Sequence, residues 1–461
     1  MSWFLKTARL LLVVSVLGLA AAAPVRAQAP AGPVYVVQAG DTLYGIARQF
    51  GVPLDALQAA NPTVDAANLP VGQALIIPGY ADVSGALSVH FLGPGEALDS
   101  LMLRFGLQRA TLVRLNRLVN PDRLYISQPI ILVDAPDAGP PLETGVTVTA
   151  PDGAGLLSVA AAANQNPWAL AAANRLAHPG ALPPGAAIVQ PGGQAALKAL
   201  PAPLDDIQLR PLPAVQGGTL VVAVRTREAV PVTGALGDWP LTFSVDPADP
   251  KRAVALLGLY RLAEPNLYPL TITAGGARFS QALPVRAADY GSDPPLTVDP
   301  ATLDPASVQP ELERVLAIVR QVTPTRQWEG AFLLPSVGAI RSRFGSLRAY
   351  NGGPYDSFHG GVDFSGAEDR PITAPAPGVV VLSEPLTVRG LATIIDHGWG
   401  VFTGYWHQSQ SLVQVGDRVS PGQIIGYQGA TGRVTGPHLH WEVWVGGYQV
   451  EPLAWTEAVF P

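Results

Sequence analysis

Near the C-terminus the run HLHWEVWV, residues 438–445, is apolar and aromatic enough to read as a β-strand. Side chains at i and i+2 share one face of a strand, so His438, His440 and Glu442 point one way while Leu439, Trp441 and Val443 point the other. Five of the chain's seven histidines lie beyond residue 358, so this face has possible partners close in sequence.

The partners stand upstream in SFHGGVDF, residues 357–364, where His359 and Asp363 lie four apart around two glycines that let the backbone turn tightly. Imidazole nitrogen and carboxylate oxygen are zinc donors. Two donors here and one from the strand make three, the number a catalytic zinc site uses while keeping a position for water. The chain has no cysteine, which excludes a thiolate site. His407, in GYWHQS between the two segments, leaves one imidazole on each side of the site free for proton transfer.

The region from about residue 332 to 452 resembles the lysostaphin-type zinc endopeptidases, peptidase family M23, which cut peptide bridges in bacterial peptidoglycan. The motifs that carry the resemblance are HGGVD (359–363), IDHGWGVFTGYWH (395–407) and TGPHLHWEV (435–443), flanked by SRFGSLRAYNGG (342–353) and VQVGDRVSPGQIIGYQGATGR (413–433). It implies that His359, Asp363 and His440 hold Zn2+ and that His407 and His438 are catalytic. Gln408 stands where the family usually has leucine, but the histidine before it is intact. Asp396 and His397 are assigned a structural role. Tyr405 is expected either to donate a hydrogen bond near the scissile carbonyl or to line the groove wall, and Asp356 and Glu442 are expected to be surface carboxylates rather than partners that orient the ligands.

At the other end, residues 1–27 carry Lys6 and Arg9, an apolar run over 10–23 and a small-residue site at Val25-Arg26-Ala27, the pattern of a secretory signal peptide. No later stretch is long and apolar enough to span a bilayer. The lack of cysteine fits an exported protein that avoids oxidative mispairing. A net charge of -6 argues against nucleic acid, which requires a concentrated basic face. The 48 glycines and 46 prolines suit short strands, turns and linkers rather than a helical protein.

Residues 34–78 alternate as a strand, show helical spacing at Leu43, Ile46, Ala47 and Phe50 and again at Leu54 and Leu57, and close on a strand over 74–77. Thr42 supplies an N-cap. This segment resembles a lysin-motif (LysM) module, a βααβ unit that binds N-acetylglucosamine-containing glycans, and the resemblance assigns Gly40, Asp41, Thr42 and Asn61 to the glycan. The frame recurs: Gly40 precedes Asn61 by 21 residues, as Gly95 does Asn116 and Gly153 does Asn174. Three modules are therefore expected, at 33–79, 87–134 and, degenerate, 144–191.

Short β-like runs separated by turn signals over 205–290 predict a small antiparallel sandwich. A linking helix expected at 305–325, whose amphipathic stretch reads from Pro310 to Val322, leads to the peptidase domain at 328–461. The chain is thus expected to be multidomain: LysM-like modules, a β-sandwich-like domain and a mainly antiparallel β catalytic domain of the lysostaphin-type fold. The implied function is that of a secreted or cell-envelope peptidoglycan endopeptidase, monomeric, needing Zn2+ and targeted by its LysM modules. A non-catalytic wall-binding regulator that activates amidases is the alternative; the complete set of ligands and auxiliary histidines argues for the enzyme.

Overall fold

The computed structural model describes residues 32–461 apart from 81–82, 135–144, 150–154, 164, 175, 177–186, 192–199 and 247. The expected signal peptide, 1–27, lies outside the described residues. The chain divides into two compact units, Met1–Leu87 and Ser88–Pro461.

In the first unit the strand Val34–Val36 pairs antiparallel with Ala74–Ile76, and helices Leu43–Gln49 and Leu54–Ala60 lie between them in sequence. Thr42 caps the first helix by accepting from the Gly45 amide. Leu43, Ile46, Ala47 and Leu57, at the helical spacing read from the sequence, are buried with Tyr35 and Phe50. Asn61 closes the module. Its Oδ1 accepts from Ile76 N (2.8 Å), and its Nδ2 donates to Leu57 O (2.9 Å) and Ile76 O (2.8 Å).

The same βααβ order occurs twice more along the chain. Strands Ala86–Phe91 and Pro129–Asp134 neighbour each other around helices Leu98–Phe105 and Arg109–Leu115. Strands Gly145–Thr149 and Ala187–Pro191 pair around helices Leu156–Ala162 and Pro167–Ala173. Asn116 bonds both backbone groups of Ile131, and Asn174 both of Val189, each also reaching the carbonyl four residues back. One side-chain amide per module thus ties the end of the second helix to the closing strand.

The next domain is a sandwich. A four-stranded sheet containing Leu204–Arg210, Thr219–Thr226 and Asp249–Gly258 faces a five-stranded one containing Val232–Leu236, Asn266–Ala274 and Ala277–Arg286. Leu220, Val222, Val224 and Leu257 fill the core between them with Leu270, Ile272 and Leu283. Val221, Val254 and Leu256 point to the opposite face and join the core of the C-terminal domain, which explains why LVVAV is apolar without alternation.

The linking helix spans Pro305–Val319: it starts at the first residue of the expected span 305–325, five residues ahead of the amphipathic stretch read from Pro310, and ends six residues short of 325. Asp304 accepts from Ala306 N and Pro305 occupies the first turn, supplying the start signal that had been assigned to Pro310; Pro310 lies inside the helix. Val315, Ile318 and Val319 pack on Leu382, Ile394, Phe402, Trp406 and Trp444.

The C-terminal domain is one largely antiparallel sheet, in the order Ile340–Ser342, Val362–Ser365, His438–Val445, Val401–Ser411, Gly390–Gly398, Gly378–Leu386, Arg418–Val419. The face carrying Leu439, Trp441, Val443 and Val445 is buried in one apolar core, while Phe402, Trp406 and Trp444 on the other face meet the linking helix. His438, His440 and Glu442 lie on this second face, as the strand period requires.

Candidate metal centre

Strand register brings the first donors together. Asp363 and His440 stand directly opposite each other on the paired strands Val362–Ser365 and His438–Val445, and His359 enters from the turn just ahead. Gly360 and Gly361 permit this for a reason other than turning. A Cβ on Gly361 would lie 2.2 Å from Trp441 O, and one on Gly360 2.1 Å from Gln449 Nε2. Gly361 is needed for close approach of the two strands and Gly360 leaves room for the Gln449 side chain beside Glu442; neither glycine is needed for an unusual backbone angle.

His359 Nε2, Asp363 Oδ1 and His440 Nδ1 form a triangle with sides of 2.8, 2.9 and 3.0 Å, and these three residues form a group able to hold a metal ion. The protons of the neutral imidazoles can be placed. His359 Nδ1 lies 2.9 Å from Arg343 O, which can only accept, so Nδ1 carries the hydrogen and Nε2 a lone pair. His440 Nε2 lies 3.0 Å from Glu442 Oε1, so that nitrogen donates and Nδ1 is bare. Two nitrogen lone pairs and a carboxylate oxygen then converge with no hydrogen between them, an arrangement that a cation stabilises. With oxygen and nitrogen donors and no thiolate, the set fits zinc.

The electrostatics agree. Burial alone would raise the Asp363 pKa, but His359 and His440 hold it well below the usual carboxylate range. Burial lowers that of His359 and keeps it neutral. Burial also acts to lower His440, but Asp363 and Glu442 outweigh it and push it up, so this cavity draws in positive charge.

Two further imidazoles face the triangle. His407 Nδ1 donates to Thr431 O (2.8 Å) and His438 Nδ1 to Gly436 O (2.8 Å), which leaves both Nε2 atoms bare. Their rings are 4.8 Å apart, and His438 Nε2 is 3.7 Å from Asp363 Oδ1. His407 has φ 65, a left-handed backbone at a break in strand register between Thr393↔Tyr405 and Leu391↔Gln408, and its amide donates to Arg389 O (2.9 Å). The bulge re-aims its side chain. Burial, reinforced by His438 and His440, lowers the His407 pKa to about 3; burial likewise lowers His438. Both are neutral proton acceptors at neutral pH.

Three expectations need correction or refinement. Glu442 is not a surface carboxylate: it is 3% exposed and bonded to His440, Trp444 Nε1 and Gln449 Nε2. Tyr405 is fully buried with its hydroxyl on Thr403 Oγ1 (2.8 Å), because its strand position turns it into the apolar core; it neither lines the groove nor reaches a substrate carbonyl. Asn61 has its amide spent inside the first module, so Gly40, Asp41 and Thr42, on the loop before the first helix, are the more exposed of the four glycan candidates. Gly40 has φ 89, and Asp41 accepts from Tyr35 Oη and Gln38 N. His397 is buried between Pro377 O and Thr403 Oγ1, and Asp356 is exposed. Arg348 and Ser342, both inside the SRFGSLRAYNGG flank but given no role there, lie around the ligands with Asp293, and Arg389 and Glu311 lie behind His407; Asp293, Arg389 and Glu311 fall in none of the quoted motifs.

Comparison with known proteins matches the Peptidase family M23 model to residues 357–452 and the LysM domain model to residues 35–78 and 93–133. The chain is 43% identical over 95 residues to peptidoglycan DD-endopeptidase ShyA of Vibrio cholerae, 21% of this chain and 22% of that protein. It is 38% identical over 96 residues to DD-carboxypeptidase/endopeptidase Mpg of Neisseria meningitidis, again 21% and 22%. These matches span about a fifth of the relatives' length. Among solved structures, the catalytic domain of lysostaphin from Staphylococcus simulans is 28% identical with a TM-score of 0.22, covering 29% of this chain and 92% of that one.

Proposed function

For a chain that carries a peptidase family M23 domain and two LysM domains, we propose the function of a zinc-dependent endopeptidase of bacterial peptidoglycan, acting outside the cytoplasm and held at the wall by its LysM modules. The observation that carries this reading is the convergence of His359 Nε2, Asp363 Oδ1 and His440 Nδ1 as three bare donors, with two neutral imidazoles facing the same point. Among the described residues no helix is long and apolar enough to cross a membrane.

Zinc held by His359, Asp363 and His440 would lower the pKa of a bound water to about 7 and polarise the scissile carbonyl. The chain's own groups supply the proton chemistry. A bare Nε2 of the His407–His438 pair orients the attacking water and takes its proton, and that same proton, held on the pair, is then passed to the leaving amine, which returns both imidazoles to the neutral form. Fixing each Nδ1–H on a backbone carbonyl holds both rings in the productive tautomer before substrate arrives. Gly40, Asp41 and Thr42 are proposed to contact glycan, and the third, degenerate module at 144–191 extends the array.

The test is digestion of purified peptidoglycan followed by mass spectrometry of the new amine and carboxyl ends. Zinc-dependent appearance of both at a peptide bond is expected. Sacculi left intact by zinc-loaded protein would overturn the enzyme reading and favour the wall-binding regulator.

A further inference from the structure

Asp293 lies on the segment that leaves the sandwich, well ahead of the M23 match at 357–452 and of the expected peptidase boundary at 328. The segment runs parallel to the hairpin Leu347–Arg348/Ser357–Phe358, with bridges Ser292↔Leu347 and Leu296↔Tyr350. Backbone bonds from Asp293 N to Leu347 O (2.9 Å) and from Leu347 N to Gly291 O (3.1 Å), and a bond from Tyr355 Oη to Asp293 O (3.0 Å), fix it there.

One oxygen of the Asp293 carboxylate, Oδ2, then reaches two of the three proposed ligands, each through a single intervening side chain. Its Oδ2 accepts from Arg348 Nε (3.0 Å), and Arg348 Nη2 donates to Asp363 Oδ2 (3.2 Å), the oxygen that does not face the histidines. The same Oδ2 accepts from Ser342 Oγ (3.0 Å), whose oxygen lies 2.9 Å from His359 Nδ1. With Arg348 on Oδ2, the Asp363 carboxylate cannot rotate freely and presents Oδ1 alone to the metal position. A guanidinium so close to a dication would weaken metal binding by repulsion; the negative charge of Asp293 offsets it.

We propose that Asp293 is a positioning residue of the metal centre, acting through Arg348 on Asp363 and through Ser342 on His359, so that the functional peptidase unit includes the 291–298 segment. This rests on the zinc reading above and adds a residue to it. Residues that orient metal ligands typically contribute about 10–100-fold in metal affinity.

The experiment measures the zinc dissociation constant of the full chain by chelator competition for wild type, Asp293→Ala, Asp293→Asn and Asp304→Ala, with thermal melting of the metal-free forms. Asp304, which caps the linking helix, is the control. Asp293→Ala is expected to bind zinc about 10–100-fold more weakly, with Asp304→Ala at the wild-type constant. Asp293→Asn keeps the shape and an acceptor but not the charge; weakening in this variant at an unchanged melting temperature separates a role toward the metal from a role in folding. If both Asp293 variants hold zinc as wild type does, the inference is wrong while the zinc reading stands. If wild type itself binds no zinc, the zinc reading falls and this inference with it.

Discussion

Glu442 Oε1 lies 3.0 Å from His440 Nε2, two residues away on the same strand face, and decides which nitrogen of that imidazole is bare. Its second oxygen accepts from Trp444 Nε1 at 2.8 Å, so the carboxylate is itself locked. Glu442→Ala should therefore weaken zinc binding by about 10–100-fold, because His440 loses its tautomer and orientation. Glu442→Gln, whose carbonyl oxygen can still accept, should recover part of the loss. Chelator competition measures both, and equal affinity in wild type and Glu442→Ala would count against the role.

His407 is assigned to substrate rather than to metal. Its Nδ1 is bonded to Thr431 O and its ring centroid is 6.2 Å from that of His440. His407→Ala should keep zinc at wild-type affinity while kcat on peptidoglycan fragments falls by about 10²–10⁴-fold. Loss of zinc in this variant would show that the assignment to proton transfer is wrong.

His397 sits in the DHG element but away from the cluster, fully buried, and burial lowers its pKa from 6.5 to about 4. A group depressed in the folded state binds fewer protons there than in the unfolded chain between those two values. Its contribution to stability is therefore complete above about pH 6.5 and is lost as pH falls toward 4, an effect of roughly 3 kcal/mol. Urea titrations of the metal-free chain from pH 7 to 4 should show this fall, and His397→Gln, whatever its absolute stability, should show a shallower slope. An identical slope in the two proteins would exclude His397 as the source.

Much of this arrangement is legible in the sequence. The two-residue period of HLHWEVWV placed His438, His440 and Glu442 on one face, and the 21-residue interval from glycine to asparagine marked three modules, each of which ends on an amide that ties helix to strand. What stayed hidden depended on long-range register. Glu442 shares its face with two histidines whether it is wet or dry, and its enclosure comes from Trp444 Nε1 and from Gln449 Nε2 on the paired Tyr448–Val450 strand, a contact that the sequence period does not show. Tyr405 stands two residues before His407, which suggests a shared face, but the break in register at His407 separates them. Arg348 stands in a recognisable flank, SRFGSLRAYNGG, but its pairing with Asp293 carries no local signal, since the partnership exists only once a segment from the sandwich lies beside the hairpin.

Asn61 gives a test of the module itself. Asn61→Ala removes three hydrogen bonds and leaves Ile76 N and two carbonyls without that partner. At about 1 kcal/mol for each bond, and more for groups left buried, the first module should lose about 2–4 kcal/mol, while zinc binding by the C-terminal domain stays unchanged. Denaturation of residues 33–79 as a fragment, compared with the same fragment carrying the substitution, reads the difference; a loss under about 1 kcal/mol would mean the amide is not the closure of the fold.

Glu311 connects the linking helix to His407. It is buried, accepts from Val388 N (2.6 Å), Arg389 N (3.1 Å) and Arg389 Nη1 (2.8 Å), and so fixes the turn between strands Gly378–Leu386 and Gly390–Gly398. Arg389 O in that turn accepts from His407 N, and the Arg389 guanidinium lies over the Trp406 ring at 5.2 Å. The left-handed backbone at His407 is unfavourable for a side chain of its size and persists only because such contacts hold it. Glu311→Ala should release the turn, shift His407 and lower kcat by about 10–100-fold, the scale expected for a displacement near 1 Å. The zinc constant should not change, since no proposed ligand touches the turn. It should also cost about 3–5 kcal/mol in stability by leaving Arg389 partly unpaired, so activity must be read well below the melting transition. Undiminished kcat in folded Glu311→Ala would mean that the strands alone hold His407, and that the helix contributes only apolar cover.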